Sequence, residues 1–220
     1  MTQIHRTRSL AATAAAAALT LTACGGGDSS SPDSPSGDGG QQGGSASQGK
    51  ASQEKDGAGE TVTAKTSKVS FEVPRGWESV DVADKEAAKN PPKWLEDAAK
   101  QQKVEPKEIL QAWGQSGMEV VIAGDASLTK SISVANLPEM PSESQLKSQL
   151  KEGGAKVESP EKVKTSVGTG YTVASADKKA NQTLLVLPAD KGAAVIQVVS
   201  DDASSADKVS TTITDSIKKA

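Results

Sequence analysis

The sequence predicts an α+β domain, a largely antiparallel sheet with helices packed on it, and three observations lead to this class. Residues 69–73 alternate between apolar and polar side chains, as a half-buried strand does. Later strand-like runs are joined by connections as short as residues 189–192, which suit antiparallel neighbours. Helical patterns, such as that of residues 94–99, are grouped apart from the strand runs, which favours α+β over α/β.

The domain opens on a predicted β-hairpin. Val69, Phe71 and Val73 would lie on one face of its first strand, because side chains in a strand alternate between the two faces. Pro74-Arg75-Gly76 would then turn the chain, and residues 77–80 are expected to return as the partner strand.

Two short helices are predicted after the hairpin. The first follows a break at Asn90-Pro91-Pro92; the second begins at Pro106, a residue favoured in the first helical turn, and stops at Gly114. Their apolar stripes are Trp94, Leu95, Ala98 and Ala99 in the first helix and Ile109, Leu110 and Trp113 in the second. This spacing indicates helices that pack one face against a sheet.

Six further strands are predicted. They lie at residues 118–123, 128–135, 163–167, 171–175, 183–187 and 193–200. The first two are expected to pair around Gly124-Asp125. Asp177-Lys178-Lys179 and Ala189-Asp190-Lys191-Gly192 are expected to be hairpin loops between the later strands.

Two more helices complete the chain. Residues 142–145 have the Ser-x-x-Gln pattern of a capping box, and the helix that follows would bury Leu146 and Leu150 and end at Gly153-Gly154. A last helix is expected to be capped near Ser204. Its apolar stripe is Ala206, Val209, Ile213 and Ile217.

The N-terminus predicts where the protein is located. Residues 1–23 have the basic front, the uncharged run Leu10–Leu21 and the small residues before the cut of a secretory signal. Twelve helical residues rise about 18 Å, well short of the ~30 Å hydrocarbon core, so a permanent span is not expected. Leu21-Thr22-Ala23-Cys24 resembles the bacterial lipobox, Leu-x-(Ala/Gly)-Cys. The resemblance implies cleavage before Cys24 and attachment of lipid to it; the alternative is an ordinary signal peptide with a stray thiol.

Residues 24–65 are predicted to be a disordered tether, and residues 66–220 a single α+β domain. The tether is rich in Gly, Ser, Asp, Gln, Ala and Lys, a composition that cannot offset the entropy of ordering. Forty flexible residues have a root-mean-square reach of about 35 Å. Gly25-Gly26-Gly27 is interpreted as linker, because no strand precedes it and no helix follows, as a phosphate-binding loop would need.

Composition excludes several classes of function. Removal of residues 1–23 takes away two arginines and no acid, which leaves 23 basic against 28 acidic residues and a net charge of −5. A mildly acidic chain predicts no nucleic-acid partner. The sole histidine, His5, lies in the signal, so no zinc or copper site, no cofactor and no histidine-dependent catalysis is expected. An enzyme would have to use carboxylates, Lys, Ser or Tyr.

The stretch Phe71-Glu72-Val73-Pro74-Arg75-Gly76-Trp77 resembles the opening of PsbP-like domains, in which a strand ends in Val-Pro-x-Gly-Trp. The order of elements is similar over roughly residues 68–219. The resemblance implies an α/β/α sandwich in which Gly76 makes the turn and Trp77 joins the core. Within that fold the chain is similar to the LpqN-type lipoproteins of actinobacteria. This implies a non-catalytic role in the cell envelope, with lipid-like ligands or with membrane and secreted partners.

Few residues are candidates for a site. Trp94 and Trp113 could form a helical lid that grips a lipid or glycan over an apolar groove, or could simply pack their helices on the sheet. Asp201-Asp202 could bind a hard cation but could equally favour the N-terminus of the last helix. Lys178-Lys179 and Lys218-Lys219 are interpreted as solvated, the second pair at a helix C-terminus.

Three hypotheses of function follow. The first is a lipoprotein anchored to the cell membrane through Cys24 on the extracytoplasmic side, which presents a non-catalytic binding domain to an envelope ligand or a protein partner. The second is an interaction or assembly module without a small-molecule pocket. The third is an enzyme that uses carboxylate or Lys chemistry. A closed apolar cavity, a flat apolar patch and a cleft with two shifted pKa values would respectively favour them.

Overall fold

The computed structural model describes residues 59–152, 156–176 and 180–220. The helices are α1 Lys93–Gln102, α2 Pro106–Gln115, α3 Glu143–Glu152 and α4 Ala203–Ser216. The strands are β1 Thr61–Ala64, β2 Val69–Glu72, β3 Glu78–Asp81, β4 Met118–Ala123, β5 Ser131–Leu137, β6 Lys156–Val157, β7 Glu161–Thr165, β8 Gly168–Ala176, β9 Asn181–Ala189, β10 Gly192–Ser200 and β11 Lys218–Lys219. These elements confirm the α+β class.

The predictions on other residues lie outside the described part of the chain. They are the signal at residues 1–23, lipid attachment at Cys24, the tether as far as residue 58, the helix end at Gly153-Gly154 and the loop that contains Lys178-Lys179.

Eight strands form the main sheet, in the order β3-β4-β5-β10-β9-β8-β6, with β7 also paired to β8. All the described pairs are antiparallel. The predicted hairpin at residues 189–192 is confirmed, because Ala189 pairs with Gly192 across the turn between β9 and β10. The predicted pairing of residues 118–123 with the strand after them is confirmed as well.

The predicted hairpin between residues 69–73 and 77–80 is wrong. β2 pairs with β1 on one side and β11 on the other, in a separate sheet of three strands, whereas β3 pairs with β4 in the main sheet. The turn at Gly76, whose φ is +80°, leads the chain from one sheet to the other instead of folding it back.

Two boundaries are corrected by the same small sheet. β1 lies inside the segment predicted to be tether, and its Val62 and Ala64 are buried, so the folded domain starts before residue 66. Lys218 and Lys219 do not end a helix: they form β11 and pair with Ser70 and Val69.

The main core lies between one face of the large sheet, the small sheet and α4. It takes Ile122, Ile132 and Ile196 from the large sheet and Phe71 from β2. On α4 the predicted stripe is confirmed, with Ala206, Ile213 and Ile217 buried and Val209 packed at the margin.

The opposite face of the large sheet is covered by the other three helices. Val121 and Ala123 alternate with the residues of the main core and contact α1 and α2, while Val186 and Ala193 contact Leu146 of α3. The sheet is therefore a middle layer with helices on both sides. None of the described helices combines the length and apolar character that a membrane crossing requires.

Candidate functional site

Trp94 on α1 and Trp113 on α2 lie together between these helices and the sheet. Their ring centroids are 6.2 Å apart and their planes are inclined by 28°. Only 6% of Trp94 and 7% of Trp113 is exposed. They share a buried cluster with Leu95, Ile109, Leu110, Met118 and Val121. We call this group the tryptophan cluster.

The position of the tryptophan cluster follows from local sequence. Trp94 and Leu95 lie on the buried face of α1, and Ile109, Leu110 and Trp113 on that of α2, as their spacing predicts. Offset aromatic pairs of this kind contribute about 0.5–1.5 kcal/mol beyond the area they bury. One polar atom is left over: the indole Nε1 of Trp94 is buried and has no hydrogen-bond partner in the described structure.

A cavity of about 220 Å³ lies where the turn between β1 and β2, strand β11 and the hairpin of β9 and β10 meet. Its lining residues are Ser67, Lys68, Val69, Val167, Pro188, Ala189, Asp190, Lys219 and Ala220. We call it the lysine cavity. Neither tryptophan lines it.

Charged side chains from distant parts of the chain meet at the lysine cavity. The Nζ of Lys68 lies 2.8 Å from a carboxylate oxygen of Asp190, which accepts a hydrogen bond from it. This contact and the charge of Lys68 lower the pKa of Asp190, and the charges of Lys219 and Lys191 lower it further. The same hydrogen bond raises the pKa of Lys68. Both groups are therefore charged across the neutral range.

The turn that carries Lys68 is held in place by Glu119. A register shift in β4 between Met118 and Val120 marks Glu119 as a bulge residue. Its Oε2 accepts from the backbone N–H groups of Thr66, at 2.8 Å, and Ser67, at 3.1 Å, and its Oε1 accepts from the hydroxyl of Ser67. One side chain of the large sheet thus fixes the turn of the small sheet.

Two further contacts give the lysine cavity a defined shape. The Nδ2 of Asn136 on β5 lies 3.4 Å from the Oγ of Ser67. Lys68 itself has a φ of 52°, the left-handed conformation that glycine and asparagine adopt most easily. The Ser166 hydroxyl donates to the carbonyl of Ile217, which ties the loop before β8 to the start of β11.

A second, more open groove of about 600 Å³ lies beside the start of α3. It is lined by Ser142, Glu143, Ser144, Lys147, Ser159, Pro160 and Tyr171. The predicted capping box is confirmed here, because Ser142 N–H donates to Gln145 Oε1 at 2.8 Å and Gln145 N–H lies 3.3 Å from Ser142 Oγ. The first polar groups of α3 are therefore satisfied within the chain.

Asp201-Asp202 take the roles that a helix start requires. Asp202 is the N-cap of α4, and its carboxylate accepts from the N–H of Ser205 at 2.8 Å. Hydrogen bonds from Ser205 lower the pKa of Asp202. A carboxylate oxygen of Asp201 lies 3.8 Å from the Nζ of Lys130. Within the described residues no three His, Cys, Asp or Glu side chains are grouped as metal ligands.

The sequence interpretation missed the lysine cavity. The sequence places Asp190 only in a turn and Lys219 at a helix end, and it predicts no role for Lys68. The signal could not be found along the chain, because 122 residues separate Lys68 from Asp190. The small sheet brings them together, and its β11 pairing was not predicted.

Comparisons with known proteins give likenesses to solved structures and to nothing else. No protein-family model and no curated protein matches the chain. The chain is similar to the solution structure of cyanobacterial PsbP (CyanoP) from Synechocystis sp. PCC 6803, with a TM-score of 0.43 and 14% sequence identity, over 79% of this chain and 99% of that chain. This likeness concerns the fold alone, so the functional argument rests on the residues of this chain.

Proposed function

We propose that this chain is a non-catalytic binding lipoprotein. It is anchored through lipid on Cys24 to the extracytoplasmic side of the cell membrane, and its α+β domain binds an envelope ligand. The lipobox pattern Leu21-Thr22-Ala23-Cys24 supports the anchor. The lysine cavity supports the binding role, and it differs from the closed apolar cavity expected for this hypothesis: it is a partly open recess of about 220 Å³ with ionised side chains, which can enclose part of a small molecule.

The charges in the lysine cavity favour binding over catalysis. A general acid or base works best when its pKa lies near the operating pH. The pKa of Lys68 is raised and that of Asp190 is lowered, so both move away from neutrality. The other groups with shifted pKa values are Lys65, Glu105, Lys107 and Asp202. Like Lys68 and Asp190 they are exposed; the first three belong to surface ion pairs, and Asp202 caps α4. Fixed charges of this kind attract a ligand of complementary charge.

The exposed surface also limits the kinds of contact that a protein partner could make. Among the described residues, Val104 is the one exposed large hydrophobic residue, with 38% of its surface accessible. A partner that relies on a flat apolar patch would find none there. The interaction-module alternative therefore requires polar and charged contacts, and the lysine cavity offers Lys68, Asp190 and Lys219 for them.

The anchor is tested by Cys24→Ser in the full chain, expressed in an actinobacterial host that receives labelled palmitate. We expect the variant to lose the label and to leave the membrane fraction, because the sulfur that carries lipid is absent. The unchanged chain is the control. A variant that stays in the membrane and still incorporates palmitate would show that the lipobox hypothesis is wrong.

The binding role is tested by native mass spectrometry of the same Cys24→Ser chain purified from that host. We expect a discrete added mass that disappears when the protein is denatured. Substitution of Lys68 by Ala should remove that mass while the protein remains folded. A bare mass in both proteins would favour the interaction-module alternative, and cross-linking on cells would then identify the partner.

A further inference from the structure

We propose that the lysine cavity binds the phosphate group of a small ligand, with Lys68 and Lys219 as the cations that hold it. In the free protein Asp190 occupies the place of that anion beside Lys68. This inference deepens the proposed function, because it names the chemistry that the cavity recognises.

The first argument is the local balance of charge. Three lysines, Lys68, Lys191 and Lys219, lie close enough to Asp190 for their charges to lower its pKa. Among the described residues, neither Lys191 nor Lys219 takes part in an ion pair. Lys68, Lys219 and Asp190 line the cavity, and their side chains carry a surplus of about one positive charge; Lys191, outside the lining, adds a second charge nearby. This surplus favours an anion such as a phosphate group.

The second argument is the type of cation. Lysine binds phosphate as a point charge on a flexible stem, while arginine provides a planar fork that matches carboxylate and phosphate alike. The described chain has one arginine, Arg75, which follows the end of β2 remote from Lys68. Two separate ammonium groups suit an anion with several oxygens spread around one centre.

The third argument is the shape and lining of the cavity. At about 30 Å³ for each water molecule, the 220 Å³ cavity has room for about seven waters, or for a phosphate with a short carbon stem. Val69, Val167 and Pro188 form apolar walls. The side chains of Lys68 and Asp190 are 59% and 52% exposed, so salt screens their charges and phosphate binding should weaken as ionic strength rises.

The fourth argument is preorganisation. The turn that carries Lys68 is fixed by three hydrogen bonds to Glu119, and Lys219 is fixed in β11 by pairing opposite Val69. Lys68 has a left-handed backbone conformation. A glycine would adopt this conformation more easily, yet the turn has a lysine at this position. Because the two backbones are held by separate strands, a ligand need order only the side chains.

Asp190 competes with a phosphate ligand for the ammonium group of Lys68. In the structure the Nζ of Lys68 lies 2.8 Å from a carboxylate oxygen of Asp190. A bound phosphate would either displace this carboxylate or be repelled by its negative charge. Asp190→Asn removes the competing charge and keeps the size of the side chain. The variant should therefore bind phosphate more tightly than the unchanged protein, an effect that a purely structural ion pair would not produce.

The experiment uses the chain with Cys24→Ser and two probes, with affinities measured by isothermal titration calorimetry and vesicle co-sedimentation at low and high salt. Glycerol phosphate represents a free phosphate monoester. Vesicles of phosphatidylglycerol, compared with phosphatidylcholine, represent a lipid headgroup. Binding of glycerol phosphate alone identifies a soluble phosphate ligand, and preferential binding of phosphatidylglycerol vesicles identifies the headgroup; either result supports the shared chemistry.

The variants decide the outcome. Lys68→Ala together with Lys219→Ala should weaken binding at least ten-fold, and Asp190→Asn should strengthen it several-fold. Lys65→Ala is the matched control, because Lys65 lies in the same turn and forms a similar exposed ion pair with Asp81 at 2.8 Å. Equal weakening by the control, or no binding of either probe, would overturn the inference. A native ligand without phosphate would overturn it too, yet leave the proposed binding function intact.

Discussion

The tryptophan cluster and the lysine cavity differ in how residue type relates to role. In the first, the side chains that look most able to hold a ligand are 6% and 7% exposed and hold two helices on the sheet. In the second, residues that the sequence places in a turn and at a helix end form a charged recess. Position in the fold, more than side-chain chemistry, separates the two regions.

The physical reason lies in what surrounds each residue. A tryptophan on the inner face of an amphipathic helix gains most by burial against a sheet. A lysine at the end of a short strand keeps its ammonium in water, and several such ends can meet at one edge of two sheets. The comparison predicts that substitutions in the cluster change stability, whereas substitutions in the cavity change binding.

Trp113→Ala should give the largest effect. Loss of a buried tryptophan leaves a cavity, and we expect the free energy of unfolding to fall by about 3–5 kcal/mol. Urea denaturation measures it, with Trp113→Phe as the milder control. A loss below about 1 kcal/mol, with loss of ligand instead, would mean that the tryptophan is a lid residue and would break the comparison.

Glu119→Ala should have an intermediate effect, and it should lower both stability and ligand binding. It removes the acceptor for the N–H and hydroxyl of the buried Ser67, and an unsatisfied buried donor costs about 1–3 kcal/mol. Ligand binding should weaken as well, because the turn that carries Lys68 loses its support. Glu119→Gln keeps one acceptor oxygen, so its stability and its affinity for the ligand should lie between those of the unchanged protein and those of Glu119→Ala. Unchanged binding would show that the turn needs no such support.

Trp94→Phe should have a small effect on stability, because two contributions oppose each other. The substitution removes a buried N–H that has no partner, which offsets the cost of the smaller ring. We expect the free energy of unfolding to change by less than about 1 kcal/mol. Trp94→Ala, measured beside it by urea denaturation, should cost several times more. Equal losses would show that the N–H is satisfied in solution.

Asp190→Asn should have the smallest effect on stability, and that effect should depend on pH. The pKa of Asp190 is lowered in the folded protein, so its contribution is present above the ordinary carboxyl pKa and is lost as pH falls through the lowered value. The Tm difference from the unchanged protein should therefore vanish in acid. Because the pKa of Lys68 is raised, the contribution of the pair is also lost as pH rises through that value. A difference that persists in strong acid would contradict the ion-pair account.

Local patterns sufficed for most elements. The stripe Ile109, Leu110 and Trp113 predicted α2, the Ser142–Gln145 pattern predicted the start of α3, and the short turn at Asp190 predicted an antiparallel hairpin. Each of these depends on neighbours within a few residues, so the chain carries the information in one place. The lipobox pattern at Cys24 is local in the same sense, and it stays a prediction.

Only the tertiary structure decided which strands are neighbours and what meets between them. An apolar alternation such as that of Val69, Phe71 and Val73 shows that a strand has a buried face but not which strand pairs with its edge. β2 therefore has β1 and β11 as partners where β3 was expected. The lysine cavity depends on that choice, because a contact between Lys68 and Asp190 forms only when the small sheet brings two distant turns together.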